Sequence, residues 1–171
     1  GKDVIFIPEN NVVFKTDLFS VLVKDEDGNL VVNKTVLFNI NGINYVRVTD
    51  KNGVASISLR LDPNVYNISY TLNDTGYKKS TGSTMVSVIT TNATVIQGND
   101  ITVGKDAYQQ FNVTLTAGGV PLINKTVTIS VNGVSYTKIT DNNGVASLTI
   151  RLDAGTYLVT YSFNGDSKLA S

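Results

Sequence analysis

Apolar and polar residues alternate along most of the chain. Val127, Ile129 and Val131 are separated by Thr128 and Ser130, and Ala146, Leu148, Ile150 and Leu152 by Ser147, Thr149 and Arg151. Tyr157, Val159, Tyr161 and Phe163 follow the same rule, and Tyr66, Ile68, Tyr70 and Leu72 follow it earlier. A period of two gives each strand one buried and one wetted face, as in antiparallel sheets. No segment carries a stripe at helical spacing, and the load of β-branched residues points the same way. The pattern predicts an all-β chain.

Turn chemistry cuts these runs into short strands. Asn41-Gly42 and Asn132-Gly133 lie between alternating segments, where a type I′ hairpin turn needs positive φ at both central residues. Asp50-Lys51-Asn52-Gly53 and Asp141-Asn142-Asn143-Gly144 supply the next reversal, with the aspartates expected to bond nearby backbone N–H groups. Asp62 and Asp153 are expected to act likewise. About seven strands per copy, at roughly 8–12-residue spacing, is the signature of a two-sheet sandwich, with a small barrel as the competing architecture.

The chain is also self-similar. At an offset of 91, residues 33–73 and 124–164 share 20 identities in 41 positions, among them Asn33-Lys34-Thr35-Val36 with Asn124-Lys125-Thr126-Val127. A 91-residue period is too long for a solenoid repeat and suits a self-contained domain. The boundary is expected between Thr90 and Ala93, giving domains 1–91 and 92–171, with Ser83–Ile89 closing the first copy and Ala93–Gln97 opening the second. No Gly/Ser- or Pro-rich spacer lies between them, which predicts a stiff joint. The first copy continues past Asn73 into Thr84–Ile89, but Ser171 comes only seven residues after Asn164, so the second domain is expected to lack its last strand. An open edge of that kind invites strand addition, and Asp3–Ile7 of another chain is one candidate donor.

The 171 residues carry 14 basic and 14 acidic side chains and no His, Cys or Trp. The balance leaves no basic footprint for nucleic acid. No apolar run approaches the ~20 residues of a membrane span, and no signal peptide opens the chain. Without His or Cys, the commonest general base and the thiol nucleophile are missing, so catalysis is not expected. Nor is any cofactor.

The order N-K-T-V, N-G-x-x-Y, T-D-x-N-G-V-A-S and R-L-D-x-x-x-Y resembles the Ig-like repeats of adhesin-like surface proteins of methanogenic archaea. These in turn are similar to the Ig-like modules of bacterial invasin-type adhesins. The resemblance covers about residues 12–90 and 101–165. It implies two tandem immunoglobulin-like antiparallel β-sandwich domains in an exported, extracellular cell-surface protein with further Ig-like repeats, glycosylated, and with no catalytic residues to carry over. Tyr66 and Tyr157 resemble a tyrosine corner, whose hydroxyl bonds upstream backbone.

These features make a non-catalytic stalk or spacer the leading reading. The alternatives are a module that itself grips a surface glycan or protein, and a filament subunit exchanging strands with another chain. Asn33, Asn67, Asn73, Asn92, Asn112 and Asn124 each begin an N-x-[ST] triplet and are candidate N-glycosylation sites. Tyr77, Lys78 and Lys79, in the non-repeated stretch Asp74–Thr84, are the candidate partner patch. Asp25-Glu26-Asp27-Gly28-Asn29 reads as an acidic loop, with oxygen ligation of Ca²⁺ as the sharper alternative. Lys34 and Lys125 share parity with inward-facing Val36 and Val127. Each is expected to snorkel to water, the alternative being a covalent bond to Asn or Asp. The paired tyrosines Tyr66/Tyr157 and Tyr70/Tyr161 are expected to pack inward rather than form a sugar platform.

Overall fold

The computed structural model describes residues 1–102 and 108–171, and every regular element among them is a β-strand. The chain divides into two compact units, Gly1–Val88 and Ile89–Ser171.

The first unit contains β1 (Val4–Pro8), β2 (Val12–Phe14), β3 (Leu18–Asp25), β4 (Thr35–Ile40), β5 (Ile43–Val48), β6 (Val54–Ser58), β7 (Asn64–Leu72) and β8 (Ser80–Ile89). One sheet has the order β1-β3-β6 and the other β2-β8-β7-β4-β5. Alternation decides what each sheet buries. Phe19, Val21 and Val23 of β3 meet Phe38 of β4, Tyr70 of β7 and Val86 of β8 in a single core. The Phe19 and Phe38 rings close the gap between the sheets edge to face, with centroids 6.3 Å apart. Val4–Pro8 is no free arm: it lies antiparallel to β3, with Phe6 opposite Val23. A donor role would require giving up these pairs.

The second unit contains β9 (Thr94–Gly98), β10 (Gln109–Ala117), β11 (Val120–Pro121), β12 (Thr126–Val131), β13 (Val134–Ile139), β14 (Val145–Ile150) and β15 (Val159–Ser162). β10 is flanked by β9, β11 and β14, and the second sheet has the order β13-β12-β15. Phe111, Val113 and Leu115 repeat the burial of Phe19, Val21 and Val23, and Val127, Ile129 and Val131 that of Val36, Phe38 and Ile40.

The hairpins turn where the Asn-Gly pairs stand. Asn41 and Gly42 have φ of 52° and 81°, Asn132 and Gly133 of 51° and 78°. Positive φ at both central residues matches the twist of the flanking strands. Strands β5 and β13 depart from expectation. Ile43, Val46 and Val48, and likewise Val134 and Ile139, are more than half exposed. Each strand sits at the edge of its sheet, where apolar residues remain wet.

Candidate functional site

The residues of the repeat are drawn into four small devices, each built twice. The first is the corner. Tyr66 donates its hydroxyl to the carbonyl of Asp62 at 2.7 Å, and Tyr157 to that of Asp153 at 3.0 Å. What Asp62 and Asp153 contribute there is backbone carbonyl rather than carboxylate. The second is the Asp turn. Asp50 Oδ1 accepts from the N–H groups of Asn52 and Val54, and Asp141 Oδ1 from those of Asn143 and Val145, all at 2.8–3.0 Å. These two aspartates shape turns, as their spacing predicts.

The third device joins two motifs that lie far apart in sequence. Thr49 and Thr140 open the T-D-x-N-G motif and are buried. Their Oγ1 atoms accept from the N–H of Lys34 (3.0 Å) and of Lys125 (2.9 Å) in the N-K-T-V motif. Backbone bonds run alongside: Asn33 N–H donates to Thr49 O, and Thr49 N–H to Lys34 O, with matching bonds in the second unit. Asn33 and Asn124 make this possible by standing at φ of 57° and 58°, a left-handed conformation that asparagine tolerates.

The fourth device answers the question of the repeated lysines. Lys34 Nζ lies 3.6 Å from Asp74, and Lys125 Nζ 2.6 Å from Asp166 Oδ2. Each lysine is thus an ion-pair partner for the turn that follows the tyrosine-bearing strand. Burial works against the charge on Asp166. Lys125, with the N–H groups of Lys168 and Leu169, outweighs it and holds the carboxyl below its ordinary value.

The acidic loop of the first unit is self-satisfied. Asp25 Oδ1 accepts from the N–H groups of Asp27 and Asn29 at 2.9 Å, while Lys2 Nζ lies 3.7 Å from Oδ2. Burial of Asp25 opposes ionisation, but the Asn29 and Asp27 donors and the Lys2 cation hold its carboxyl below the ordinary value. The bond to Asp27 raises Lys2 in turn. Among the described residues no group of three or more His, Cys, Asp or Glu side chains could hold a metal.

Lys78 and its neighbours latch the turn after β7 to the start of the chain. Lys78 N–H donates to Lys2 O at 2.7 Å, Lys2 N–H to Gly76 O at 3.0 Å, and Lys78 Nζ lies 3.3 Å from Asp3. Tyr77 packs against the core, leaving Lys79 exposed. Asn33, Asn67, Asn73, Asn92, Asn112 and Asn124 are all exposed.

The paired tyrosines split. Tyr70 is buried, and its hydroxyl bonds Thr84 Oγ1 of β8 at 2.6 Å. Tyr161 is only partly buried, and Tyr157 is 37% exposed, against the expectation that it packs inward. The difference follows from the strands, since β7 is covered by β8, whereas among the described residues β15 pairs only with β12. Beside β15 a cleft of about 560 Å³ opens between Phe111, Val131, Ile150 and Tyr157.

Strand plan and side-chain devices together define a class: an all-β protein in which a single plan is built twice and the repeated polar residues serve turns, corners and ties. No family model matches the chain, and no curated protein matches it. Among solved structures it is similar to the fibronectin(III)-like modules of Clostridium thermocellum CbhA, at 11% identity and a TM-score of 0.41, covering 98% of this chain and 89% of that one. It is similar also to the Escherichia coli adhesin FdeC, at 16% identity and a TM-score of 0.36, covering 98% of this chain and 61% of that one. For the Yersinia pseudotuberculosis adhesin InvE the identity is 13%, the TM-score 0.33 and the coverage 94% and 58%. The chain therefore spans about three fifths of the length of either adhesin chain. The all-β architecture rests on the strands themselves.

Proposed function

We propose that the chain is a non-catalytic spacer segment of an exported, adhesin-like cell-surface protein, formed by two tandem Ig-like β-sandwich domains, 1–91 and 92–171. The observation that carries this reading is the use made of the repeat. The motifs kept in both copies are consumed by turns, tyrosine corners, threonine ties and Lys–Asp pairs that hold each unit together. A chain that repeats its structural parts in this way is suited to bearing length and load. The resemblance of its motifs to adhesin-like repeats supports a surface location. Exposure of all six sequon asparagines leaves them open to glycosylation.

Pulling the full chain by its ends tests the spacer reading. Two separate unfolding events are expected, each releasing about 290 Å of contour for some 85 residues at ~3.4 Å apiece. Both should recover on relaxation. A single event releasing the whole chain would sink the reading.

The cleft beside β15 favours a second reading, in which the chain itself binds a glycan or protein. Saturable binding to one glycan on an array, lost in a Tyr157→Ala variant, would replace the spacer reading with this one.

A further inference from the structure

We propose that Asn41 and Asn132 are sites of spontaneous chemical ageing, where the side-chain amide is exchanged for a carboxylate and the residue becomes aspartyl or isoaspartyl. The chemistry belongs to the Asn-Gly pair. The backbone nitrogen of the glycine, unshielded by a Cβ, gives up its proton to hydroxide and attacks Cγ of the asparagine. A C–N bond forms, ammonia leaves with the amide nitrogen, and a five-membered imide remains. Water then opens the imide at either carbonyl. One opening leaves an ordinary aspartate, and the other routes the main chain through Cβ and Cγ as isoaspartate. Nothing is oxidised or reduced, and water is the only co-reactant.

Five Asn-Gly pairs stand in the sequence, beginning at Asn41, Asn52, Asn132, Asn143 and Asn164. The dipeptide alone does not rank them, but the fold does. Gly53 N–H donates to Asp50 O and Gly144 N–H to Asp141 O, both at 3.0 Å, so the attacking nitrogen is engaged. Asn52 and Asn143 are pinned beside it, each donating its own N–H to an aspartate Oδ1 at 2.8 Å. Both glycines are buried, and a Cβ would meet Val23 O at 3.0 Å on Gly53 and Leu115 O at 2.7 Å on Gly144. The imide ring has no room there. Gly165 is crowded in the same way, with Leu169 O at 2.8 Å from such a Cβ.

Asn41-Gly42 and Asn132-Gly133 are the opposite case. All four residues are exposed, and a Cβ on either glycine would meet nothing within 4 Å. Among the described residues, neither glycine N–H is engaged by a backbone carbonyl. Position sets the consequence. Each pair is the whole loop of its hairpin, between Ile40 opposite Ile43 in one unit and Val131 opposite Val134 in the other. An isoaspartyl residue adds a main-chain carbon and a negative charge to a loop whose twist fits because both residues hold positive φ. β5 and β13 lie at sheet edges, so the loosened end of each frays into water.

The test ages the full chain at mildly alkaline pH, digests it at acidic pH, and follows each Asn-Gly peptide by mass spectrometry. Asn41 and Asn132 should convert about tenfold faster, or more, than Asn52 and Asn143, the factor expected from one protected N–H bond. In urea the four rates should draw together. Equal rates in the folded chain would overturn the proposal, as would the same ranking in urea, which would trace it to sequence context. As the chain ages, amide exchange at Ile43 and Val134 should quicken by about tenfold. An Asn41→Gly, Asn132→Gly double variant keeps a Gly-Gly pair suited to the same turn, and its exchange should stay constant. Equal quickening in that variant would overturn the loosening assigned to these sites. None of these results bears on the two-step unfolding under load, so failure here and failure of the spacer reading remain distinct.

Discussion

Thr140 and Thr49 hold corresponding places, yet their loss should cost the two units different amounts. Thr140 is 3% exposed; its hydroxyl accepts from Lys125 N–H at 2.9 Å and donates to Leu122 O at 2.7 Å. Replacing it with valine keeps the shape and strips a donor and an acceptor, Lys125 N–H and Leu122 C=O, of these bonds. An unsatisfied buried polar group costs about 1–3 kcal/mol, with the lower end applying to the part-buried Lys125 N–H. Thr140→Val should therefore destabilise the second unit by about 2–4 kcal/mol. In the first unit the Thr49 hydroxyl reaches Lys34 O only at 3.4 Å, and that carbonyl keeps its 2.8 Å bond from Thr49 N–H. Thr49→Val orphans one part-buried N–H, for about 1 kcal/mol. In a unit of this size, 1 kcal/mol moves the melting point by about 4–8 °C. Calorimetry of the full chain, with hydrogen exchange to assign each transition, should show a shift for Thr140→Val at least twice that for Thr49→Val. Equal shifts, or neither exceeding about 0.5 kcal/mol, which is within the range of an ordinary surface change, would refute the tie as described.

Three further outcomes follow from the same geometry. Tyr66→Phe and Tyr157→Phe each remove one corner bond and should cost about 0.5–1.5 kcal/mol by urea titration, with the 2.7 Å bond of Tyr66 costing more than the 3.0 Å bond of Tyr157. Gly144→Ala should be far more damaging than Gly133→Ala. Both have positive φ and so carry a strain of about 1–2 kcal/mol, but a Cβ on Gly144 would also sit 2.7 Å from Leu115 O, while Gly133 has open space. Comparable denaturation midpoints for the two would contradict this. Asp166 has its folded pKa held below the unfolded value, so its contribution is complete above about pH 4 and is lost as the pH falls further. Asp166→Asn should flatten that acid limb of the second unit's unfolding midpoint, measured between pH 6 and 3, and an unchanged slope would remove the Lys125 pair as its cause.

Much of the fold was readable because period-two alternation and Asn-Gly turns are local signals. Asn41-Gly42, Asp50 and Tyr66 announce their roles within four residues of chain. The threonine ties were not readable, since Thr49 and Thr140 look like ordinary turn-flanking residues until the N-K-T-V segment folds across them. The Lys–Asp pairs were hidden by register: Asp74 and Asp166 are separated by 92 residues, so an alignment at 91 sets Asp74 against Gly165. Tyr77 and Lys78 are unrepeated, and the backbone of Gly76 and Lys78 ties the turn after β7 to Lys2, a contact no local signal announces. On β5 and β13, apolar character and burial part company because burial depends on where a strand lies in its sheet.

The left-handed asparagines complicate the chemistry of sugar attachment. Asn33 and Asn124 would each serve two masters, presenting an acceptor amide to a glycosyltransferase and bending the main chain at φ near 58°. The customary Asn→Gln exchange would remove both at once, and any loss of fold would be mistaken for loss of glycan. Thr35→Ala and Thr126→Ala abolish the same two triplets on exposed side chains, and leave the bend in place.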